Sequence, residues 1–488
     1  MHEEESVVEL NSKSIFRKLV ILILISVTLS IVGYKTVFNL RQAVSSAVFL
    51  SIILGTLFFW SFRLSIAFIG LAVLIFTNSL NIPTFVESAA LPVILFLVGM
   101  MIVVGALRDL GFFTWIVQLI VSMPNISARK FIFTTAIASA LLACAVDEVT
   151  SIIFISTLIF QVSERLKINP APYIIICVLS TNVGSAGTMM GNPVGIFIGT
   201  RAGLTFEDFI IWAFPTMLIS LLLCIFISMI YYKKDLKIFD EKLQDRLSKD
   251  LSLVPKIQVP YKQGLVVMIF TILFIASHHQ LEKLFNLEKN SILLIAPLIC
   301  SGLIMFFKRD RARHYVEREV DWWTLLFFML LFAVAGTLEH THVTSLMAEK
   351  FSRICGSNIS ILIPLTMIIS AIGSAFIDNV IFVAAFCPVI EELSKTVNAF
   401  PLWWALLFGA CFGGNITMIG STANIVALGM LEKRSKIHVK FFDWLKIGLI
   451  TAFATLLLSW IIFAGLKNFM PQKTQEISKT KEASIPHH

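Results

Sequence analysis

The sequence predicts an all-α polytopic membrane protein made of two inverted-topology repeats, with hairpins and broken helices and about 11 transmembrane helices. Hydrophobic residues make up 57% of the 488 residues and charged residues only 14%, and the mean hydropathy is +0.86. Such a chain has more apolar surface than one soluble core can bury. Apolar stretches of membrane-spanning length, and short motifs that recur at nearly one spacing, complete the prediction.

The first half of the chain is a series of apolar stretches behind a short polar and acidic tail. No small-residue cleavage pattern follows the first stretch, so we expect the first helix to be retained. About 20 apolar residues cross a bilayer as a helix. The stretches lie at 15–32, 44–60, 64–80, 91–107, 131–160, 173–199 and 206–232.

A charged segment with two prolines separates this half from a second series of apolar stretches, and its composition predicts a solvated cytoplasmic linker. The second series lies at 264–276, 292–307, 322–338, 359–390, 400–430 and 441–466. The predicted organisation is an N-terminal tail with the first transmembrane helix (1–43), membrane repeat 1 (44–232), the linker (233–263), membrane repeat 2 (264–466) and a polar C-terminal tail (467–488).

Motifs that recur in the same order in the two halves indicate an internal repeat. The matched positions are Gly105 with Gly336, Ser139 with Ser370, and Asp147 with Asp378, each 231 apart (378 minus 147), and Gly191 with Gly420, 229 apart (420 minus 191). Lys and Arg collect near the N-terminus and in the loops 233–262 and 308–318, which are therefore expected to be cytoplasmic. Repeat 1 then begins at the outer face and repeat 2 at the inner face, so the repeats are predicted to be inverted.

Two acidic triplets lie in the middle of apolar stretches: Asp147-Glu148-Val149 and Asp378-Asn379-Val380. An ionised carboxylate near the middle of a bilayer costs about 2.5 to 3.5 kcal/mol on insertion scales, which favours a functional role. No Lys or Arg occurs at 131–164 or 354–394 to form a local salt bridge. The carboxylates are therefore predicted to bind a cation or to hold a proton, and the alternative is that they only cap helices.

A second pair of motifs is rich in small and polar residues: 188–195 in the first half and 417–424 in the second. They predict either a helix that unwinds and exposes backbone groups to a binding cavity, or a close-packing seam between helices. Asn182 and Asn415 precede these motifs and are expected to make polar contacts. The candidate ion- or substrate-binding residues are Asp147, Glu148, Thr150, Asn182, Thr188, Gly191, Asn192, Asp378, Asn379, Asn415, Thr417, Gly420, Ser421 and Asn424, with Na+ placed at Asp147 and Asp378.

Several functional classes are disfavoured. The chain has no nucleotide-binding GxxxxGK[ST] motif, no zinc-ligand spacing and no hydrolase nucleophile elbow, so an enzyme is not expected and no cofactor beyond Na+ or H+ as a coupling ion is predicted. The seven cysteines are scattered singly, which indicates small buried side chains, with the binding of a thiophilic solute as the alternative.

At these residues the sequence resembles the ion-transporter superfamily that includes the arsenite permeases, the Na+/H+ antiporters of the D type and the melanosomal P-protein, and it is distantly similar to divalent anion:sodium symporters. The resemblance rests on the two Asp-containing triplets and on the Thr-x-x-Gly motifs at Thr188 and Thr417. It implies a homodimer with a scaffold domain and an elevator-like transport domain. Two positions depart from the pattern: Glu148 stands where Asn is expected, and Gly195 stands where the second repeat has Asn424.

The additional acid at Glu148 favours a secondary transporter that exchanges Na+ or Li+ for protons. A permease for arsenite, a carboxylate or another anion of the same superfamily is the alternative. Either protein is expected to lie in the plasma membrane with a cytoplasmic N-terminus. Its partners would be lipid and a small ion or anion, and no nucleic acid.

Overall fold

The computed structural model describes residues 12–59, 62–249, 259–355 and 358–471. The regular secondary structure within these ranges is helical. The helices are α1 Ser12–Thr36, α2 Leu40–Phe58, α3 Arg63–Phe76, α4 Ile82–Ser88, α5 Leu91–Asp109, α6 Phe112–Val121, α7 Ala128–Ala145, α8 Glu148–Leu166, α9 Ala171–Gly184, α10 Pro193–Ala202, α11 Phe206–Asp208, α12 Phe214–Tyr231, α13 Lys233–Ser248, α14 Tyr261–Ala276, α15 His278–Phe285, α16 Ser291–Phe307, α17 Ala312–His314, α18 Trp322–His340, α19 Val343–Cys355, α20 Ile359–Phe376, α21 Asn379–Leu393, α22 Phe400–Gly413, α23 Thr422–Ser435 and α24 Phe441–Leu466.

The prediction of an all-α polytopic membrane protein is confirmed. Within the described ranges, nine helices are long and apolar enough to cross a membrane, and the bent pair α14 and α15, which meet at 57°, would make a tenth. Shorter apolar helices, among them α9 and α22, account for other predicted stretches. Polar breaks divide the predicted stretches 173–199 and 400–430 into two shorter helices each, α9 with α10 and α22 with α23.

The chain divides into two compact units. The first unit holds α1 to α4, α18 and most of α19. Inside it, the Gln42 side-chain amide donates to the Thr341 carbonyl (2.9 Å) and Arg63 donates to the Thr324 hydroxyl (3.1 Å). The second unit holds α5 to α17 and α20 to α24. All the candidate site residues belong to this second unit.

The charged segment predicted as a linker contains an ordered helix, α13, in its described part. This helix is amphipathic and buries Leu236, Phe239 and Leu243. Phe239 packs edge-on against Phe131 of α7 (5.5 Å between ring centroids). The apolar face of α13 therefore lies on α7. Residues 250–258 of the predicted linker, and 472–488 of the predicted C-terminal tail, fall outside the described ranges.

Candidate functional site

Each acidic triplet lies at the junction of two helices, and its aspartate caps the second of them. Asp147 precedes α8 and its Oδ1 accepts from the Thr150 N–H (2.7 Å). Asp378 precedes α21 and its Oδ1 accepts from the Val380 N–H (3.0 Å). A carboxylate in this position satisfies backbone donors that a helix leaves open and faces the positive end of the helix dipole. The capping role is therefore present at both aspartates, and it leaves one oxygen of each carboxylate for other partners.

The Thr-x-x-Gly motifs form the second pair of breaks, between α9 and α10 and between α22 and α23. Asn192 caps α10 by accepting from the Gly195 N–H (2.8 Å), and Ser421 caps α23 by accepting from the Ala423 N–H (3.2 Å). Four helices therefore begin at breaks in this unit, at matched positions of the two repeats. The unwound backbone that the sequence predicted is present.

In each repeat one threonine joins the Thr-x-x-Gly break to the helix that ends at the acidic break. The Thr188 hydroxyl donates to the Cys144 carbonyl, and the Thr417 hydroxyl donates to the Ala375 carbonyl. The predicted glycines allow the breaks to fold back tightly, since a Cβ at Gly420 would lie 2.8 Å from the Gly414 oxygen. The two breaks of one repeat are thus held as one structure.

Glycines at the ends of α9 and α22, beside the unwound breaks, pack closely against neighbouring helices. A Cβ on Gly184, the last residue of α9, would lie 2.5 Å from the Cα of Ala140 on α7. A Cβ on Gly413, the last residue of α22, would lie 2.6 Å from the Ala371 oxygen on α20. The two sequence-based interpretations, an unwound helix and a small-residue seam, are therefore both realised, at neighbouring residues.

Asn182 connects the two repeats through a buried hydrogen-bond network. Its side-chain amide nitrogen donates to the Oδ1 atoms of Asn415 and Asn424, at 2.8 Å each. Its Oδ1 accepts from the Ser421 hydroxyl (3.0 Å). These four side chains are 1% exposed or less. The sequence predicted each of them as a site residue separately, and the structure brings them together.

Glu148 joins this network from the start of α8. Its side chain is 5% exposed, its Oε1 lies 3.3 Å from the Ser421 hydroxyl, and its Oε2 is buried without a hydrogen-bond partner in the described structure. Asp378 contacts the residue that follows Ser421, because its Oδ2 accepts from the Thr422 hydroxyl (3.0 Å). Two buried carboxylates from different repeats thus contact consecutive hydroxyls at the start of α23.

The remaining predicted residues lie near this network with different partners. Asp147 and Thr150 bond to each other at the α8 cap, and Asn379 is buried at the first position of α21. Within the described residues, no group of three or more His, Cys, Asp or Glu side chains is arranged to hold a metal ion. A Na+ ion would therefore have to take hydroxyl, amide or backbone oxygens as well as a carboxylate.

Sequence reasoning missed Thr422, Ser185 and Cys411. Asn192 donates to the Ser185 hydroxyl (2.9 Å) and to the Cys411 sulfur (3.2 Å). The signal for Thr422 was available, since it follows Ser421 in the second motif. Cys411 gives no signal in the sequence, because an isolated cysteine in an apolar stretch usually fills space.

Two ion pairs join the far ends of helices that begin at the site. Arg434, near the end of α23, makes two hydrogen bonds to Glu164 near the end of α8 (2.8 and 3.3 Å). Arg201 on α10 pairs with Glu391 on α21 (2.9 Å). In each pair one helix comes from each repeat. The α8 and α23 pair is thus connected at the site, through Glu148 and Ser421, and again at its opposite end.

Comparison with known proteins agrees with this architecture. A family model described as citrate transporter matches residues 56–409 and 342–485. An uncharacterized transporter of Mycobacterium tuberculosis is 30% identical over 387 residues, covering 78% of this chain and 86% of the relative. The human P protein is 24% identical over 424 residues, covering 72% of this chain and 50% of that protein. The resemblance to the superfamily of the P-protein is therefore confirmed.

The fold is also found in a solved structure. The YdaH transporter of Alcanivorax borkumensis matches with a TM-score of 0.55 and 13% sequence identity, over 81% of this chain and 88% of that one. At this identity the likeness concerns the fold alone. Because the family model covers most of the chain, the protein belongs to the citrate transporter family and is an integral membrane transporter.

Proposed function

We propose that the protein is a secondary active transporter that exchanges Na+ or Li+ for protons, with no cofactor other than these coupling ions. The observation that carries this proposal is the pair of buried carboxylates, Glu148 and Asp378, on the consecutive hydroxyls of Ser421 and Thr422. Within the described residues, Glu148 takes part in no salt bridge. A buried carboxylate without a basic partner needs a cation or a proton to offset the cost of its burial.

The exchange follows from the shared use of these groups. A proton on a carboxylate and a Na+ ion beside it neutralise the same charge, so binding one disfavours the other. Hydroxyl and amide oxygens adjacent to both acids supply further ligands of the hard type that Na+ prefers. Competition at one site is sufficient for exchange, provided that the site faces the two sides of the membrane in turn.

Proton movement in everted vesicles tests this proposal. Addition of Na+ to vesicles with an imposed pH gradient is expected to release protons from vesicles that contain the protein, as reported by a pH-sensitive dye. Asp378→Asn removes one charge at similar volume and should reduce the sodium-dependent signal at least about tenfold, a loss of about 1.4 kcal/mol or more. Glu207→Gln, at an exposed residue outside the site, is the matched control. Full sodium-dependent exchange by Asp378→Asn would refute the assigned role.

Transport of an anion is the second candidate, and one observation favours it. Of the four helices that begin at breaks, α10 and α23 are capped by the neutral side chains of Asn192 and Ser421. The N-terminus of a helix attracts anions, and these two ends do not already carry a carboxylate. The description of the matching family names citrate, a carboxylate. Uptake of labelled citrate or arsenite into proteoliposomes, measured beside sodium-dependent proton movement, decides between the two.

We also propose an elevator-type mechanism in a homodimer of the plasma membrane with a cytoplasmic N-terminus. All the site residues belong to one compact unit, so they can move across the membrane as a group. A spin label at exposed Lys436, which follows α23, should give a label-to-label distance within the dimer that changes on adding Na+. A single unchanged distance would contradict the movement, and the absence of any intermolecular distance would contradict the dimer.

A further inference from the structure

Two ion pairs, Glu164 with Arg434 and Glu391 with Arg201, occupy matched places in the fold. Each glutamate lies two residues before the end of the helix that follows an acidic triplet, α8 or α21. Each arginine lies one residue before the end of the helix that follows a Thr-x-x-Gly motif, α10 or α23. In both pairs the glutamate and the arginine come from different repeats. The two pairs are therefore copies of one contact, related by the internal repeat.

The two pairs lie at opposite ends of a membrane-spanning helix. Arg201 is followed closely by the span Phe206–Tyr231, whose 26 residues measure about 39 Å as a helix, more than the roughly 30 Å core of a bilayer. This span leads into α13, where Arg246 donates to the Arg165 carbonyl (3.3 Å) beside Glu164. One pair therefore lies on the α13 side of the membrane and the other on the far side.

The α8 and α23 pair closes a seam that leads from the α13 side to the site. At the site end, the Ser421 hydroxyl contacts Glu148 (3.3 Å). At the other end, the Arg434 guanidinium bonds to both carboxylate oxygens of Glu164 (2.8 and 3.3 Å) and lies over the Phe160 ring (5.1 Å to its centroid). Phe160 is fully buried, one turn closer to the site than Glu164. A route along this seam therefore requires Arg434 to leave both partners.

The α10 and α21 pair closes the equivalent seam on the far side. The two helices pack against each other, and the Arg201 guanidinium bonds to the Glu391 carboxylate (2.9 Å) at their ends. Both of these side chains are 29% exposed, whereas Arg434 is 38% and Glu164 is 54% exposed. Because solvent screens a more buried ion pair less, the far-side pair should hold its seam more firmly.

Both seams are closed in this structure. The side chains of Asn182, Asn192, Asn415 and Ser421 are 1% exposed or less, so the network is closed to solvent on both sides. An ion that crosses through this network has to reach it through one seam and leave through the other. Transport without a leak then requires that the two seams open at different times.

We infer that Arg434 and Arg201 are positioning residues that each control access to the site from one face, Arg434 on the α13 side and Arg201 on the far side. Loss of either pair favours the state in which its own seam is open. Because exposed ion pairs contribute little, the shift in population is about two- to fivefold for each pair. The inference rests on the proposed alternating access of the site, and it does not depend on which ion is carried.

Labelling of Cys411 tests this assignment. The Cys411 sulfur is buried at the site, 3.2 Å from the Asn192 amide nitrogen. In a chain whose other six cysteines are replaced by alanine, a charged, membrane-impermeant thiol reagent reaches Cys411 only through an open seam. The reagent is added from one face at a time, to right-side-out or to everted vesicles. The rate of labelling then reports how often the seam on that face opens.

Arg434→Ala should raise the labelling rate about two- to fivefold from one face only, the face from which a cysteine at exposed Lys242 of α13 is labelled. Arg201→Ala should raise the rate from the opposite face, and by the larger factor. The charge reversal Glu164→Arg with Arg434→Glu should return the rate to that of the parent chain. Arg313→Ala, which removes the same charge from an exposed ion pair within one short segment, is the matched control and should change neither rate.

Amide hydrogen exchange of the purified protein is a second measurement that needs no replaced cysteines. Arg434→Ala should speed exchange in the last turns of α8 and α23 and leave α10 and α21 unchanged, because the opening is local. Arg201→Ala should do the reverse. Faster exchange in all four helices, or labelling that rises from both faces in one variant, would indicate general loosening and overturn the inference.

These outcomes separate the inference from the proposed function. Labelling and amide exchange are measured without transport, so an absence of Na+/H+ exchange in the unmodified protein would refute the proposed function alone. Unchanged labelling in both arginine variants, beside normal Na+/H+ exchange in the unmodified protein, would overturn the inference and leave the proposed function standing.

Discussion

The close approach of α9 to α7 gives a quantitative prediction for Gly184→Ala. The added Cβ would lie 2.5 Å from the Cα of Ala140, whereas carbon atoms pack at about 3.5 to 4.0 Å. The helices must therefore separate by about 1 Å, and overpacking of this kind costs about 1 to 3 kcal/mol. Gly429→Ala in α23 is the matched control, since no atom lies within 4 Å of its added Cβ. There alanine should stabilise the helix by about 0.8 to 1 kcal/mol.

The two variants should therefore differ by about 2 to 4 kcal/mol in the free energy of unfolding. The measurement is denaturant unfolding of the purified protein in detergent, followed by tryptophan fluorescence. Transport should fall as well in Gly184→Ala, because Asn182 lies two residues before Gly184 and its 2.8 Å bonds to Asn415 and Asn424 do not survive a shift of about 1 Å. A Gly184→Ala protein as stable as Gly429→Ala would refute the argument from packing.

Two further predictions concern contacts between the repeats. Arg434→Ala should slow exchange by separating the ends of α8 and α23. The loss of unfolding free energy should stay within about 1 kcal/mol, because both partners of the ion pair are partly exposed. The charge reversal Glu164→Arg with Arg434→Glu should restore the exchange rate, and a rate that stays slow would show that the ion pair is not the cause. Moving the carboxyl to the matched position by Glu148→Asn with Asn379→Glu keeps the net charge, yet exchange should remain at least about tenfold reduced. The reason is that Ser421 contacts the carboxyl at position 148, whereas the matched Asn192 already donates its hydrogens to Ser185 and Cys411. Recovered exchange would show the two positions to be equivalent.

Much of the fold could be predicted from the sequence because its determinants are local. A run of about 20 apolar residues is sufficient to predict a span, and a polar break in such a run predicts the end of a helix. The 231-residue offset between Asp147 and Asp378 placed both acidic breaks correctly, since each copy of a repeat keeps its own caps. The number of full spans was less predictable, because α9 and α22 end at Gly184 and Gly413 where close packing and unwinding coincide.

The network between the repeats could not be predicted in the same way. The offset pairs equivalent residues: Glu148 with Asn379, and Ser421 with Asn192. The structure instead joins residues that are not equivalent, since Glu148 contacts Ser421. Such contacts depend on how the two copies pack, and one sequence does not contain that information. In the sequence Glu148 stood out as part of an acidic triplet and as a departure from the family pattern, but not as a partner of Ser421.

This departure has a physical consequence for how two similar halves can handle one ion. If both halves carried the carboxyl, hydroxyl and amide groups, two equal sites would compete for one cation. In the other half Asn379, Asn192 and Cys411 stand at the matched positions, and Asn192 donates to Ser185 and Cys411 and accepts from the Gly195 N–H. Under the proposed exchange, an ion that binds at Glu148 would change the hydrogen bonds on one side of the interface only. Two unequal halves can therefore couple the binding of one ion to one rearrangement. Two equal halves would first have to pass through an intermediate in which they differ.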